Sequence, residues 1–249
     1  MRRAWRRALF VGGILVLCGV ACSLDGFSSD YDALAVRGCA PEQGVKLCKD
    51  FEENESYGAG FQIDVGDGGA FGRDTTTSIS PPQSLVAVIP AEANHRVAVM
   101  SRAFMDADPT RIRLAAHVRL ISFPHVKDWK AELLKIAFNQ SVSLVIVVYE
   151  NKLYVSRRAD KQYLDCGSLG EMPDGSKDHW ARVEIVLEAG PPLKLKGRRE
   201  RSSDWVPLEG CPLNWSLASP TLYIGMPYAK EGPAPWIVRY DNVIFDFSP

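Results

Sequence analysis

Histidine is scarce in this chain, with four residues among 249, and no CxxC pair occurs. With no histidine at ligand spacing from a cysteine either, a structural zinc site is disfavoured. No closely alternating triplet of carboxylates occurs on one strand-like stretch, so the two close carboxyls that retaining glycoside hydrolysis requires are not supplied by one strand. No GxSxG elbow occurs: Gly167-Ser168-Leu169-Gly170 has the wrong spacing and no strand-to-helix context. The glycine-rich DVGDGGAFG (Asp64–Gly72) has neither the lysine nor the following helix of a phosphate-binding loop. No internal repeat and no low-complexity tract appears. After residue 22 no amphipathic pattern of helical period runs for ten residues.

What is present begins with an export address. The opening MRRAWRRALFVGGILVLCGVAC carries Arg2, Arg3, Arg6 and Arg7, then an apolar stretch from Leu9 to Ala21. That stretch is short for a spanning helix, and the order of charged, apolar and small residues is that of a secretory signal. Gly19-Val20-Ala21-Cys22 resembles the lipobox of bacterial lipoproteins, with Gly19 standing where leucine is usual. The resemblance implies cleavage before Cys22, lipidation of its thiol, and a protein anchored to a membrane and facing the periplasm or the cell surface. A plain cleaved signal is the alternative. Residues 1–21 are thus expected to be the signal, residues 22–38 a polar tether, and residues 39–249 one folded domain.

Without the four leading arginines, 25 basic side chains stand against 30 acidic ones, a net charge near −5, which argues against a nucleic-acid partner. Cys18 and Cys22 belong to the export segment. Cys39, Cys48, Cys166 and Cys211 remain, an even number that favours disulfides in an exported chain. Of the three possible pairings the preferred one joins Cys39 to Cys48 and Cys166 to Cys211.

From residue 46 onward the apolar residues recur every second position. Lys46–Glu52, Ser84–Ile89, His95–Phe104, Arg111–Phe123, Ala131–Asn139, Ser141–Glu150, Lys152–Arg157, Trp180–Glu188, Thr221–Met226 and Ile237–Phe247 all read as half-buried strands. Glu150-Asn151-Lys152 reads as a tight hairpin connection. Leu193–Lys196 starts a hairpin partner of Trp180–Glu188, and the basic run Lys194–Arg201 is read as a solvated loop. Many strands with one apolar edge each imply an all-β domain of two packed antiparallel sheets.

The strands LCKDFEE (Leu47–Glu53), SPPQSLVAVIP (Ser80–Pro90), HWARVEIVLE (His179–Glu188), LYIGM (Leu222–Met226) and YDNVIFDF (Tyr240–Phe247) together resemble the concanavalin A-like family of jelly-roll sandwiches, from Cys39 to nearly the end. The resemblance implies a curved sheet that often serves as a carbohydrate platform, and frequently a structural calcium. Two places are candidates for that ion: Asp64 with Asp67, or Asp50 or Glu52 near the first strand with Asp241 near the last. The alternative at Asp241 is a strand-edge carboxylate that hydrogen-bonds a neighbouring loop.

Lyases of this architecture draw a base and an acid from histidine and tyrosine, with a basic residue for the substrate carboxylate. His95 beside Arg96, His117 with Arg119, Tyr154, Arg113 and Arg157 are available, but none forms a lyase motif. His117 alternates with Arg113 and Arg119 and is expected to face solvent. The remaining clue is aromatic: Trp129, Trp205, Trp215, Tyr228 and Trp236 lie in loop-like stretches where an exposed ring can stack on a sugar. The expected function is therefore non-catalytic binding at the envelope by a monomer, with a glycan as ligand. A divergent lyase or hydrolase, or a protein-interaction module, is the alternative.

Overall fold

The computed structural model describes residues 46–51, 56–80, 83–124, 127–138, 141–160, 162–172, 179–200 and 204–249. The signal, the tether, Cys22, Cys39 and Glu52 lie outside the described residues. In chain order the strands are β1 (Leu47–Lys49), β2 (Gln62–Val65), β3 (Ala70–Asp74), β4 (Ser84–Ile89), β5 (Ala98–Ala103), β6 (Arg111–Ser122), β7 (Lys130–Ala137) and β8 (Val142–Tyr149). There follow β9 (Lys152–Ala159), β10 (Gln162–Glu171), β11 (Ala181–Glu188), β12 (Lys194–Arg199), β13 (Val206–Pro207), β14 (Thr221–Ala229) and β15 (Trp236–Ser248). The described residues contain no helix.

Two antiparallel sheets form the sandwich expected from the alternation. The first runs β13-β12-β11-β6-β15-β4-β3, with β1 also paired to β15; the second runs β10-β9-β8-β7-β14-β5-β2. Leu114, Val118, Val183, Ile185, Val238 and Phe245 of the first sheet meet Leu134, Ile136, Leu144, Ile146, Val155 and Ile224 of the second in one apolar core. This is the jelly-roll architecture of the concanavalin A-like fold. The β8–β9 turn places Glu150 and Asn151 at φ 43° and 68°, the paired left-handed conformation that matches the twist of a two-residue hairpin, and Tyr149 faces Lys152 across it.

The glycine-rich stretch 58–72 holds β2 and part of β3. Two expectations are corrected. Lys194–Arg199 is not a solvated loop but strand β12, paired along β11. His117 is 2% exposed and Arg182 equally buried, so alternation assigned the face of His117 correctly and its exposure wrongly. The reason is the length of the neighbouring side chains. Glu184 accepts hydrogen bonds from Arg113 Nε at 2.6 Å and Arg198 Nε at 2.9 Å, with Arg182 Nη2 at 3.5 Å, and this mesh covers the outer face of the first sheet. Burial pulls the Glu184 carboxyl upward, but the hydrogen bonds and charges of these arginines hold it below the ordinary value.

One core residue carries an unused polar group. Tyr240 is fully buried and its hydroxyl has no hydrogen-bond partner. Removing such a hydroxyl removes a desolvation penalty without breaking a bond. Tyr240→Phe is expected to raise the unfolding free energy by about 1 kcal/mol, measured by denaturant titration; a loss of stability would show that the hydroxyl has a partner in solution.

Candidate binding face

The second sheet has a polar face. Leu144, Ile146 and Val148 point into the core, so Ser143, Val145, Val147 and Tyr149 point away from it. Register carries the same face across the neighbours. Lys130, Glu132 and Lys135 of β7 lie opposite Tyr149, Val147 and Val145, and Tyr154, Ser156 and Arg158 of β9 lie opposite Val147, Val145 and Ser143. Tyr163 and Asp165 of β10 join from one side, Tyr223 and Tyr228 of β14 from the other. The face is therefore tyrosines and cations above a floor of buried Ser143, Val145, Val147 and Ser156.

Lys130, Val147, Tyr149, Tyr154, Ser156, Tyr163 and Asp165 line a depression of about 310 Å³ on it. Glu132, 1% exposed, is sunk in the floor beside this depression. Tyr163 donates its hydroxyl hydrogen to Glu132 Oε1, and Arg158 Nη1 donates to the same oxygen at 3.1 Å. Lys130 Nζ lies 4.8 Å from the Tyr163 ring centre and 6.0 Å from that of Tyr228; Lys135 Nζ lies 4.5 Å from the Tyr223 ring. These are cation–π distances. Arg158 thus pairs with this carboxylate, while Lys130 and Lys135 lie on the same face against tyrosine rings. Burial, reinforced by the Arg158 charge, pushes the Lys135 ammonium below its ordinary value against the pull of Glu132. Burial and the hydrogen bond to Glu132 push the Tyr163 phenol well up, so it stays protonated.

Of the aromatic residues singled out in the sequence, Tyr228 alone belongs to this face. Trp129 and Trp236 are 8% and 1% exposed and are corrected to core residues: Trp129 stacks on Phe123 at 4.3 Å and lies 5.7 Å from Trp236, whose Nε1 donates to the Lys230 carbonyl at 2.8 Å. Trp205 sits by the first sheet, with Arg198 at 4.4 Å and Lys196 at 5.4 Å from its ring. Trp215 packs against Phe138 and Arg157. His117 and Arg119 belong to β6 of the other sheet.

Asp241, one of the residues expected to hold calcium, is engaged by the protein itself. Asp241 is fully buried and its oxygens already accept from Ile79 N, Ser80 N, Ser80 Oγ and Asn242 N, the loop-anchoring alternative. Asp50 follows β1, Glu52 lies outside the described residues, and Asp64 is on edge strand β2. Among the described residues no three His, Cys, Asp or Glu side chains gather in a way that holds a metal ion. Cys166 and Cys211 are disulfide-bonded as expected, and Cys48 is disulfide-bonded as well, its expected partner Cys39 lying outside the described residues.

Lys130, Glu132, Lys135, Tyr149, Ser156, Arg158, Tyr163, Asp165 and Tyr223 were not singled out in the sequence. The signal that finds them is the register: KAELLK and the residues flanking the Glu150-Asn151 turn place their polar members on one face once β7, β8 and β9 are known to be neighbours.

No protein-family model and no curated protein matches the chain. Solved structures do. The chain is similar to an endo-β-1,4-glucuronan lyase from the fungus Trichoderma reesei (TM-score 0.61, 10% identity, 82% of this chain and 96% of that one). It is similar to the cellulose-induced protein Cip1 (0.56, 13%, 82% and 98%), and to the alginate lyase vAL-1 from Chlorella virus (0.55, 10%, 77% and 94%). At these identities the likeness establishes the jelly-roll fold.

Proposed function

We propose that the polar face of the second sheet binds an acidic polysaccharide, without cleaving it, in a protein exported and held at the cell envelope by a lipid on Cys22. The observation that carries this reading is the pair Lys130 and Lys135. Both are partly buried beside tyrosine rings, and neither has a carboxylate of a described residue within ion-pair distance. A chain of uronate residues offers what they lack: a carboxylate on each sugar for the cations and ring C–H faces for Tyr149, Tyr154 and Tyr223. Two of the similar structures are named as lyases of glucuronan and alginate, which are polyuronates, and this supports the ligand class.

A lyase reading is favoured by one observation, the meeting of a depressed lysine and a protonated tyrosine on the same face. Against it, none of the strands of the second sheet contains a histidine, so the histidine–tyrosine pairing on which such elimination draws has no counterpart on them.

Binding to immobilised polyglucuronate and alginate, with a neutral glucan as control, tests the proposal. Wild-type protein is expected to retain the acidic polymers selectively, with affinity falling as salt rises. Lys130→Ala with Lys135→Ala is expected to weaken binding about 100-fold, two charge-assisted bonds at about 1.5 kcal/mol each. Equal retention of the neutral polymer, or no change in the double variant, would remove this face from consideration. Ultraviolet absorbance from unsaturated ends would convert the binder into a lyase.

A further inference from the structure

Glu132 poses a problem that polyuronate binding alone does not answer. Carboxylates are poor company for the carboxylates of the ligand, yet this one occupies the centre of the face. It is not there only to hold Arg158. Both of its oxygens are buried, and while Oε1 accepts from Tyr163 and Arg158, Oε2 has no hydrogen-bond partner. A buried carboxylate oxygen without a donor is costly enough that an explanation is required. No group of metal-ligating side chains accompanies it among the described residues.

The side chain that covers Glu132 is mounted so that it can leave. Tyr163 is on β10, the edge strand, which is paired only to β9. The ladder it belongs to is interrupted directly afterwards, between Asp165 and Gly167, and again between Ser168 and Gly170. Its ring lies between Lys130 at 4.8 Å and Arg158 at 5.6 Å, and it is a wall of the depression. Rotating it outward breaks one side-chain hydrogen bond and no backbone bond. That motion opens both carboxylate oxygens, and leaves the two cations with no ring between them.

We infer that Tyr163 is a displaceable lid, and that Glu132 beneath it reads a pair of adjacent free hydroxyls on the sugar. Each hydroxyl donates one hydrogen bond to one carboxylate oxygen, so the diol replaces the phenol on Oε1 and supplies the missing donor on Oε2. Lys130 and Arg158 then meet the uronate carboxylate on either side. The inference rests on the acidic-polysaccharide reading of this face and adds a chemical selectivity to it: polymers whose ring hydroxyls are esterified have no donors to offer and are refused.

Calorimetric titration of the full chain with uronic-acid oligomers, free and O-acetylated on the ring hydroxyls, tests it. Wild type is expected to bind the free oligomer at least about tenfold more tightly, since hydrogen bonds to a charged group are lost on acetylation. Tyr163→Phe removes the competing phenol, and is expected to bind the free oligomer about three- to tenfold more tightly than wild type. Glu132→Gln is expected to lose most of the discrimination between the two oligomers. Thermal melts confirm that each variant is folded; should the Gln variant fail to fold, the Phe variant and the acetylated oligomer decide. Equal affinity for free and acetylated oligomers overturns the inference while leaving acidic-polysaccharide binding intact. Weaker binding by Tyr163→Phe overturns it too, making the phenol a ligand contact instead of a lid. If no uronic-acid oligomer binds, both readings fall.

Discussion

Asp241→Ala is expected to cost about 4 kcal/mol of unfolding free energy, because it strips acceptors from several buried donors at once. Asp241 Oδ2 receives the amide hydrogens of Ile79 at 2.7 Å and Ser80 at 3.0 Å, and Oδ1 receives that of Asn242 at 2.7 Å and the Ser80 hydroxyl at 2.9 Å. Together these fasten the loop after β3 to the bulge in β15, where Asn242 takes a positive φ of 48°. Asp241→Asn is expected to cost only about 1–2 kcal/mol. Its amide nitrogen can occupy the Oδ1 position and donate to Ser80 Oγ, which in turn donates to Asn242 Oδ1, 3.3 Å away; the Asn242 amide alone loses its acceptor.

The same chain of bonds explains how a proton is accommodated there. Burial pushes the Asp241 carboxyl up to about 6, against the hydrogen bonds it accepts, whereas in the unfolded chain its value is about 3.9. Between those two values the folded state binds the extra proton. Stability from this group is therefore fully present below about pH 4 and is lost as pH rises through about 6. The loss is about 3 kcal/mol if nothing else titrates. From about pH 4 to 7 the unfolding free energy of wild type is expected to fall by that amount relative to that of the non-titrating Asp241→Asn; parallel curves would mean that the Asp241 carboxyl is not raised in the folded state.

Loss of the Cys166–Cys211 disulfide is expected to be as damaging. The bridge closes a loop with a sequence separation of 45, for which chain entropy gives about 4 kcal/mol. It also has a local role. Cys166 lies in a bulge of β10, the edge of the second sheet, and Cys211 in the segment after β13, the edge of the first. The bridge, with the bond from Gly210 N to the Cys166 carbonyl at 2.9 Å, ties the two sheets where no strand does. A Cys166→Ala, Cys211→Ala variant, with Cys48 left oxidised, should show an unfolding free energy lower by that amount. Because Asp165 precedes Cys166 in the wall of the depression, it should also bind acidic polymers more weakly. A shift below about 1 kcal/mol would show that the unfolded chain is already compact there.

Strands with strict alternation were legible in the sequence, and the residue range Ser84–Ile89 is that of β4 itself. β10 was not. Its sequence QYLDCGSLGE has no period of two because two register shifts insert residues into the ladder, so each shift turns the next side chain to the opposite face. Tyr163, the lid proposed above, was hidden by that irregularity. Exposure failed for a different reason. A loop-like neighbourhood suggested solvent for Trp129 and Trp236, but the ends of a sandwich need closing, and these rings close one of them with Phe123. His117 failed because polar residues on a sheet face can be covered by one another. The binding face needed the order β9-β8-β7-β14, which single-strand patterns do not contain.

β15 lies in the middle of the first sheet, hydrogen-bonded to β6 and β4 and flanked at its far end by β1. Cys48 thereby faces Ile244 across nearly the whole described length. Pairings so distant in sequence are slow to form. A chain threaded through a membrane from its amino end would emerge with β4 and β6 lacking the strand that belongs between them. It would stay open until residues 236–248 arrived, which leaves the unpaired backbone edges of β4 and β6 as the surfaces that need shielding until then.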